Sequence, residues 1–422
     1  MFEPLVTSSL SSQFESDDFD VLRHVLFHPR LWSTGREVAA LEEEIASYIG
    51  MPRAFAFFSG RGALYAILSA LHLPPDAEVL VPGFTCIAAV APVLWVGAQP
   101  VYVDIDERTL NMSPVDLARK ITQKSRVVIV QHTFGLACEL ESLLAFARRH
   151  NLFIIEDCAH ALGTEYAGKK VGSFGDASFL SFGRDKVISG IFGGMALMRD
   201  RVYSDRMTHF SSQLIFPPRR LLFKILLQPF LTSLARRRYH IFSSGKIFLK
   251  TLKTLRFLNF AVEKIEKRGG RPSFLSFRLP NALAIIVRHQ FSKLDDLQTH
   301  RTWVAGRFQK TFTAFGQENM PMNVSSDGKG NHIFLRWVLR HPTATHVLRR
   351  AEQHNVFIGD WHGSPLVPSG VSYTAFHFNP ATCPIACRAA KEIIPFPTHP
   401  QIGEKEIERL ACLFKNYAFP AK

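Results

Sequence analysis

Residues 78–105 read EVLVPGFTCIAAVAPVLWVGAQPVYVDI. The two ends, EVLVPGF (78–84) and PVYVDI (100–105), are runs rich in β-branched residues. The middle, TCIAAVAPVLWVG, is an apolar segment long enough for a helix. The end runs do not alternate polar with apolar residues, as a strand with one wet face would. They read as strands buried on both faces, which predicts a parallel sheet covered by helices. The same pattern continues through RVVIVQHTF (126–134), LFIIED (152–157), ASFLSFG (177–183) and GMALMRD (194–200), with MSPVDLARKI and CELESLLAFARRHN as intervening helices. The chain therefore reads as α/β. In open parallel sheets ligands gather at the carboxyl ends of the strands. That rule places Phe84 and Thr85, His132 to Gly135, Asp157 to His160, and Ser181 to Lys186 in one crevice.

The bulk properties bound the rest. The chain has 422 residues, 47% hydrophobic and 20% charged, a globular composition able to bury a large core. No run of about 20 apolar residues predicts a membrane span. The start, MFEPLVTSSLSSQFESDDFD, lacks the basic and apolar regions of a signal peptide. The six cysteines are scattered, so a reduced, cytoplasmic protein is expected. Four parts are expected: an N-terminal arm (1–35), a large domain (36–207), a basic helical insertion (208–272), and a helical link with a smaller α+β domain (273–422).

The net charge of +14 is concentrated: Arg206 to Val262 hold eleven Lys/Arg and no Asp or Glu. Within this segment RRLLFKILLQPFLTSLARRR has a 14-residue apolar part, Leu221 to Leu234, interrupted by Lys224, Gln228 and Pro229. That is too short to cross a bilayer. Two readings stand for the region around 219–257. It lies on an anionic membrane surface, at the inner face of the membrane, or it packs as a helical hairpin on the second domain or a dimer partner. No nucleic-acid reading motif accompanies the charge, so no nucleic-acid partner is expected.

The crevice holds a carboxylate and a lysine. Asp157 ends an apolar strand, where an acid is costly unless it meets a cation or strong donors. Lys186 lies in SFLSFGRDKVISGIFGG (178–194), at the end of the next strand and bounded by glycines. A structural ion pair is one reading. The other is pyridoxal 5'-phosphate, whose aldehyde needs a lysine for a Schiff base and whose ring nitrogen needs a carboxylate to stay protonated. Its phosphate needs amides at a helix N-terminus and hydroxyls. FFSGRGALYAILSAL supplies Ser59, Gly60, Arg61 and Gly62 before a helix pattern, and Ser181 is a second candidate. Arg61 reads either as a phosphate ligand or as a solvated charge. His132, Cys138, Cys158 and His160 lack paired metal-ligand spacing, so no metal site is predicted.

With these motifs in place the chain resembles the DegT/DnrJ/EryC1/StrS family, sugar aminotransferases of pyridoxal-phosphate fold type I. The resemblance runs from WSTGREVAALEEEIASYIG to IIPFPTHPQIGEKEIERL through SGRGALYAIL, VPGFTCIAAVAPVLWVGAQPVYVDID and IIEDCAHALGTEYAGKKVGSFGDASFLSF. It implies a large domain with a mostly parallel seven-stranded sheet and a smaller C-terminal domain. It implies that Lys186 carries the cofactor and shuttles protons, that Asp157 pairs with the ring nitrogen, and that His160 sits near the ring hydroxyl. Ser181 and the amides of Gly60 to Gly62 would hold the phosphate. It also implies an amino-acid donor, glutamate, a nucleotide-linked keto sugar as acceptor, and a homodimer with both sites at the interface.

Three departures stand out. Cys86 follows Thr85 where relatives often carry an aromatic stacked on the cofactor ring. Gly60-Arg61-Gly62 replaces Gly-Thr-Ser, exchanging two hydroxyls for a guanidinium. Ser276-Phe277-Arg278-Leu279 replaces an Asn-Tyr-Arg-Met run that reaches a neighbouring subunit's site, keeping the arginine. Related dehydrases carry histidine in place of the lysine, so Lys186 favours transamination. The alternatives are another reaction of the same cofactor, dehydration or elimination, and a non-catalytic membrane-associated scaffold or regulator with an altered site.

Overall fold

Seven strands form one sheet in the computed structural model, which describes residues 5–7, 13–239, 244–255, 257–258, 262–314, 328–359, 361 and 363–418. They are β1 (Arg53–Phe57), β2 (Glu78–Pro82), β3 (Gln99–Val103), β4 (Ser125–Gln131), β5 (Phe153–Asp157), β6 (Ala177–Ser181) and β7 (Gly194–Met198). Their order is β1-β7-β6-β5-β4-β2-β3, and only β7 runs against the others. The mostly parallel, seven-stranded α/β architecture expected from the sequence is thus the one observed. Six of the strands are the apolar runs of the sequence. The seventh, RAFAF at Arg53–Phe57, gives no long β-branched run and is held by its pairing with β7.

Helices cover both faces. On one face α1 (Ser16–Phe27), α2 (Glu37–Ile49), α5 (Pro114–Lys120), α6 (Leu140–Arg149) and α10 (Asn281–Ser292) contribute to one buried cluster, and on the other α3 (Gly60–Leu71), α4 (Ile87–Trp95), α7 (Arg201–Ser212) and α13 (Pro384–Glu392) contribute to a second. Helix α3 is apolar nearly all round and buried along most of its length, as a helix central to a core must be. A third cluster lies in the C-terminal part. There β8 (Arg336–Arg340) pairs antiparallel with β9 (Ile393–Pro397) under α11 (Leu294–Thr313), α12 (Ala344–Gln353) and α14 (Glu404–Ala418). Trp337 stacks between Phe312, 5.3 Å away, and Phe308, 5.5 Å away. This is the smaller α+β unit that the sequence suggests.

Helices α10 and α11 follow one another with a break at Lys293. One helical expectation changes. In the basic segment Pro229 does not interrupt: α8 runs unbroken from Arg219 to Arg237. A proline inside a helix costs about 3 kcal/mol. Burial of Leu222, Ile225, Leu226 and Ala235 offsets that cost, with α1 packed against the helix. Helix α9 (Ser244–Thr254) follows; residues 240–243, 256 and 259–261 of this segment lie outside the described residues.

Candidate active site

The carboxyl edge of the sheet and the N-terminus of α3 meet at a cavity of about 220 Å³. Register sets its floor: Gln131 lies opposite Asp157, Asp157 opposite Phe179, and Ser181 opposite Gly194. Two glycines let α3 approach. A Cβ on Gly194 would lie 2.3 Å from the Gly60 nitrogen, and one on Gly60 would lie 2.8 Å from the Ser181 Cβ. Ser59 caps the helix, its hydroxyl accepting from the Gly62 amide at 3.1 Å. Gly60 and Arg61 line the cavity where helix geometry leaves the first amides without intrahelical acceptors.

Of the residues singled out in the sequence, Lys186, Asp157, His160, Ser181, Gly60, Arg61 and Cys86 all line this one cavity. Gly62 stands one position behind, bonded to Ser59. Thr85 is buried and acts through a neighbour, its hydroxyl donating to Gln131 Oε1 at 2.6 Å. Ser276 and Arg278 lie outside the cavity. Ser276 is exposed and bonds to the Ser273 carbonyl at 2.9 Å. Arg278 donates to the Ser211 carbonyl at 3.4 Å and lies over the Phe216 ring.

The electrostatics are uneven. Burial pushes the Asp157 carboxyl up to about 6, while the Ala159 amide, bonded at 3.0 Å, and the Lys186 charge pull it back. Burial, with the charges of Lys186 and Arg336, holds His160 well below the usual histidine range. Its Nδ1 accepts from the Phe134 amide at 3.4 Å, and its ring stacks on Phe134 at 5.9 Å with Trp361 edge-on at 5.0 Å. His160 is thus a neutral, fixed ring. Burial also pushes the Cys86 thiol up. Arg61 is not solvated: it forms an ion pair with Glu266 and lies 5.1 Å from the Phe274 ring.

Several lining residues were missed in the sequence. Gln131 is tied down by Thr85, Phe84 and Thr133. Arg336 opens β8 and comes from far along the chain, as does Trp361. A charged residue in the middle of the apolar run HIFLRWVLR (332–340) was the available signal for Arg336. Arg184 and Asp185, part of the Ser181–Lys186 stretch expected in the crevice, do line the cavity, and Asp185 is held below the usual carboxylate range: burial opposes this, but Lys186, Arg336 and Arg184 prevail.

His132, expected in the crevice, faces away. Strand residues alternate faces, so Gln131 and Asp157 share the cavity side while His132 and Glu156 share the other. His132 Nε2 lies 3.2 Å from Glu156. Glu156 also accepts the amides of Gly172 at 2.8 Å and of Phe174 and Gly175 at 2.7 Å. Burial pushes its carboxyl up, but His132 and these amides bring it below the usual range. The group pins the 172–175 loop under the sheet. Glu156→Ala should cost about 3–5 kcal/mol by stranding buried donors, read from denaturant midpoints; a cost under about 1 kcal/mol would contradict this role. Because the folded pKa is lowered, this stabilisation is present at neutral pH and is lost as pH falls through the folded value.

The family model for the DegT/DnrJ/EryC1/StrS aminotransferases matches residues 13–217 and 248–414. The chain belongs to this family. Among relatives, the Bacillus subtilis spore coat polysaccharide biosynthesis protein SpsC is 27% identical over 386 residues, spanning 89% of this chain and 88% of that protein. GDP-perosamine synthase of Escherichia coli O157:H7 is 39% identical over 181 residues, 43% of this chain and 50% of that enzyme. The solved aminotransferase of Psychrobacter cryohalolentis superposes with a TM-score of 0.73 at 23% identity, covering 96% of this chain and 97% of that one, a shared fold. Membership makes this chain an aminotransferase. Residues 218–247 fall between the two stretches that match the family.

Proposed function

We propose that this chain moves an amino group from an amino acid, glutamate on the resemblance, to the keto group of a nucleotide-linked sugar, using pyridoxal phosphate, in amino-sugar or surface-polysaccharide synthesis. The observation that carries the reading is the single cavity joining Lys186, Asp157 and the N-terminus of α3. The donor set fits the cofactor. A buried carboxylate raised to about 6 suits a cationic ring nitrogen, since that cation would offset the burial. An anion suits the α3 N-terminus beside Ser181. When bound, the cofactor supplies the electron sink for the reaction.

The chain's own residues then divide the work. Lys186 Nζ would anchor the cofactor; once freed, the amine would take the donor's Cα proton and pass it to the cofactor carbon within the same half-reaction, and would move a proton the opposite way when the sugar is the acceptor. Asp157 keeps the ring nitrogen protonated. His160, neutral and fixed against Phe134, presents a ring to the cofactor's edge. Gly60, Arg61 and Ser181 hold the phosphate, with Arg61 kept in the wall by Glu266. Cys86 takes the position of the usual stacking aromatic and presents a neutral thiol. Arg184 and Arg336 put positive charge where the substrates' carboxylate and diphosphate groups enter. Ser276 and Arg278, outside their own chain's cavity, serve a second copy's site in a homodimer.

The relatives' names support the acceptor class, since GDP-perosamine synthase and a dTDP-linked amino-sugar transaminase are among them. The test is product analysis by mass spectrometry with GDP-, UDP- and dTDP-linked keto sugars and glutamate. The reading expects an amino sugar with an equal amount of 2-oxoglutarate. A deoxygenated sugar would shift the assignment to elimination, and no product from the set would overturn the acceptor class.

A further inference from the structure

The family match skips residues 218–247 and resumes inside α9 at residue 248, so chemistry common to the family does not account for the skipped segment. Among the described residues it comprises α8, the residues just after it, and the start of α9. Helix α8 buries an apolar face, but α9 hardly does: only Gly245 and Leu252 of its 11 residues are buried. Gly245 seats α9 on the end of α8. Its amide donates to the Arg238 carbonyl at 3.1 Å, and a Cβ there would lie 2.2 Å from the Ala235 carbonyl oxygen.

The opposite face of α9 is open. Lys246, Lys250 and Lys253 recur at i, i+4 and i+7, forming one exposed stripe. Ile247 is 63% exposed in the middle of that face, and Leu255 is 59% exposed just beyond the helix. The hydroxyls of Thr251 and Thr254 are turned onto the helix's own carbonyls, of Ile247 at 3.1 Å and Lys250 at 3.0 Å. Arg237 and Arg238, exposed at the end of α8, extend the charge. No Asp or Glu occurs between Arg206 and Val262.

We infer that α9, with the end of α8, docks the protein on a membrane surface carrying anionic headgroups. Cations drawn to headgroups beside bare aliphatic side chains are the chemistry of an interfacial helix. A soluble polyanion would meet the lysines but gain little from Ile247 and Leu255. A second copy presenting the same face would set cation against cation. At 1.5 Å per residue α9 is about 16 Å long, so it lies on a bilayer rather than crossing it. Among the described residues no helix is long and apolar enough to cross.

The test is sedimentation of the full-length protein with vesicles of phosphatidylcholine alone or mixed with phosphatidylglycerol. Co-sedimentation is expected with the mixed vesicles only, and is expected to fall as salt rises. Replacing Lys246, Lys250 and Lys253 together with glutamine should weaken partitioning on the order of 100-fold, and Ile247→Ser about tenfold. Both variants change exposed side chains, and an unchanged thermal midpoint checks that they fold. Three results would each overturn the inference: protein left in the supernatant with mixed vesicles, equal binding to neutral vesicles, or unweakened binding by the triple variant. Displacement from mixed vesicles by dilute inorganic polyphosphate would also overturn it, assigning the face to a soluble polyanion.

Discussion

Lys186→Ala should lose turnover by about 10⁴-fold or more while the protein stays folded. The side chain is only half-buried at the rim of the cavity, in a loop closed by its own amide bonding to the Gly183 carbonyl at 3.3 Å, so its removal leaves no void in the core. What disappears is the amine that anchors the cofactor and the base that moves the Cα proton. The change also removes the cation that pulls Asp157 and Asp185 downward. Steady-state turnover with a near-ultraviolet circular dichroism spectrum checks both halves. Wild-type-like activity would end the role of Lys186.

Asp157→Asn should have opposite effects on activity and on the stability of the cofactor-free protein. Activity should fall by on the order of 10³-fold, because a neutral amide cannot hold a protonated ring nitrogen. Stability should rise. An acid whose folded pKa is lifted from 3.8 to about 6 binds a proton in the folded state that the unfolded state has released. Folding therefore loses stability as pH rises from about 4 to about 6, and the cost is fully present at neutral pH. Asparagine does not titrate, so the cofactor-free variant should be more stable by about 3 kcal/mol at neutral pH. The advantage should vanish as pH falls below about 4. Thermal midpoints across pH read this directly, and a variant less stable than wild type at neutral pH would contradict it. In the wild type, cofactor affinity should weaken as pH drops through about 6, where the cofactor-free carboxyl becomes protonated.

The parts of the site legible in the sequence are those where one residue breaks its local pattern. Asp157 was visible as an acid ending an apolar strand, and Lys186 as a cation between a strand and glycines. The start of α3 was visible as Ser59-Gly60-Arg61-Gly62 before an apolar helix. The sheet was visible because strands buried on both faces leave long apolar runs, and β1 escaped because RAFAF does not form one. What could not be read was contributed across distance: Arg336 and Trp361 come to the cavity from more than 170 residues beyond Asp157 in the chain. His132 was misplaced although strand alternation carries the answer, since it follows Gln131 by one residue and takes the other face. Pro229 reads locally as an interruption, and only the burial of α8, which the local sequence does not carry, lets the helix run through it.

The most direct test of the account is the visible absorption spectrum of the purified protein with pyridoxal phosphate added, before and after glutamate, beside Lys186→Ala. The account predicts a yellow band in the wild type that disappears with glutamate and never forms in the variant. No band in the wild type, or the same band in Lys186→Ala, would contradict it.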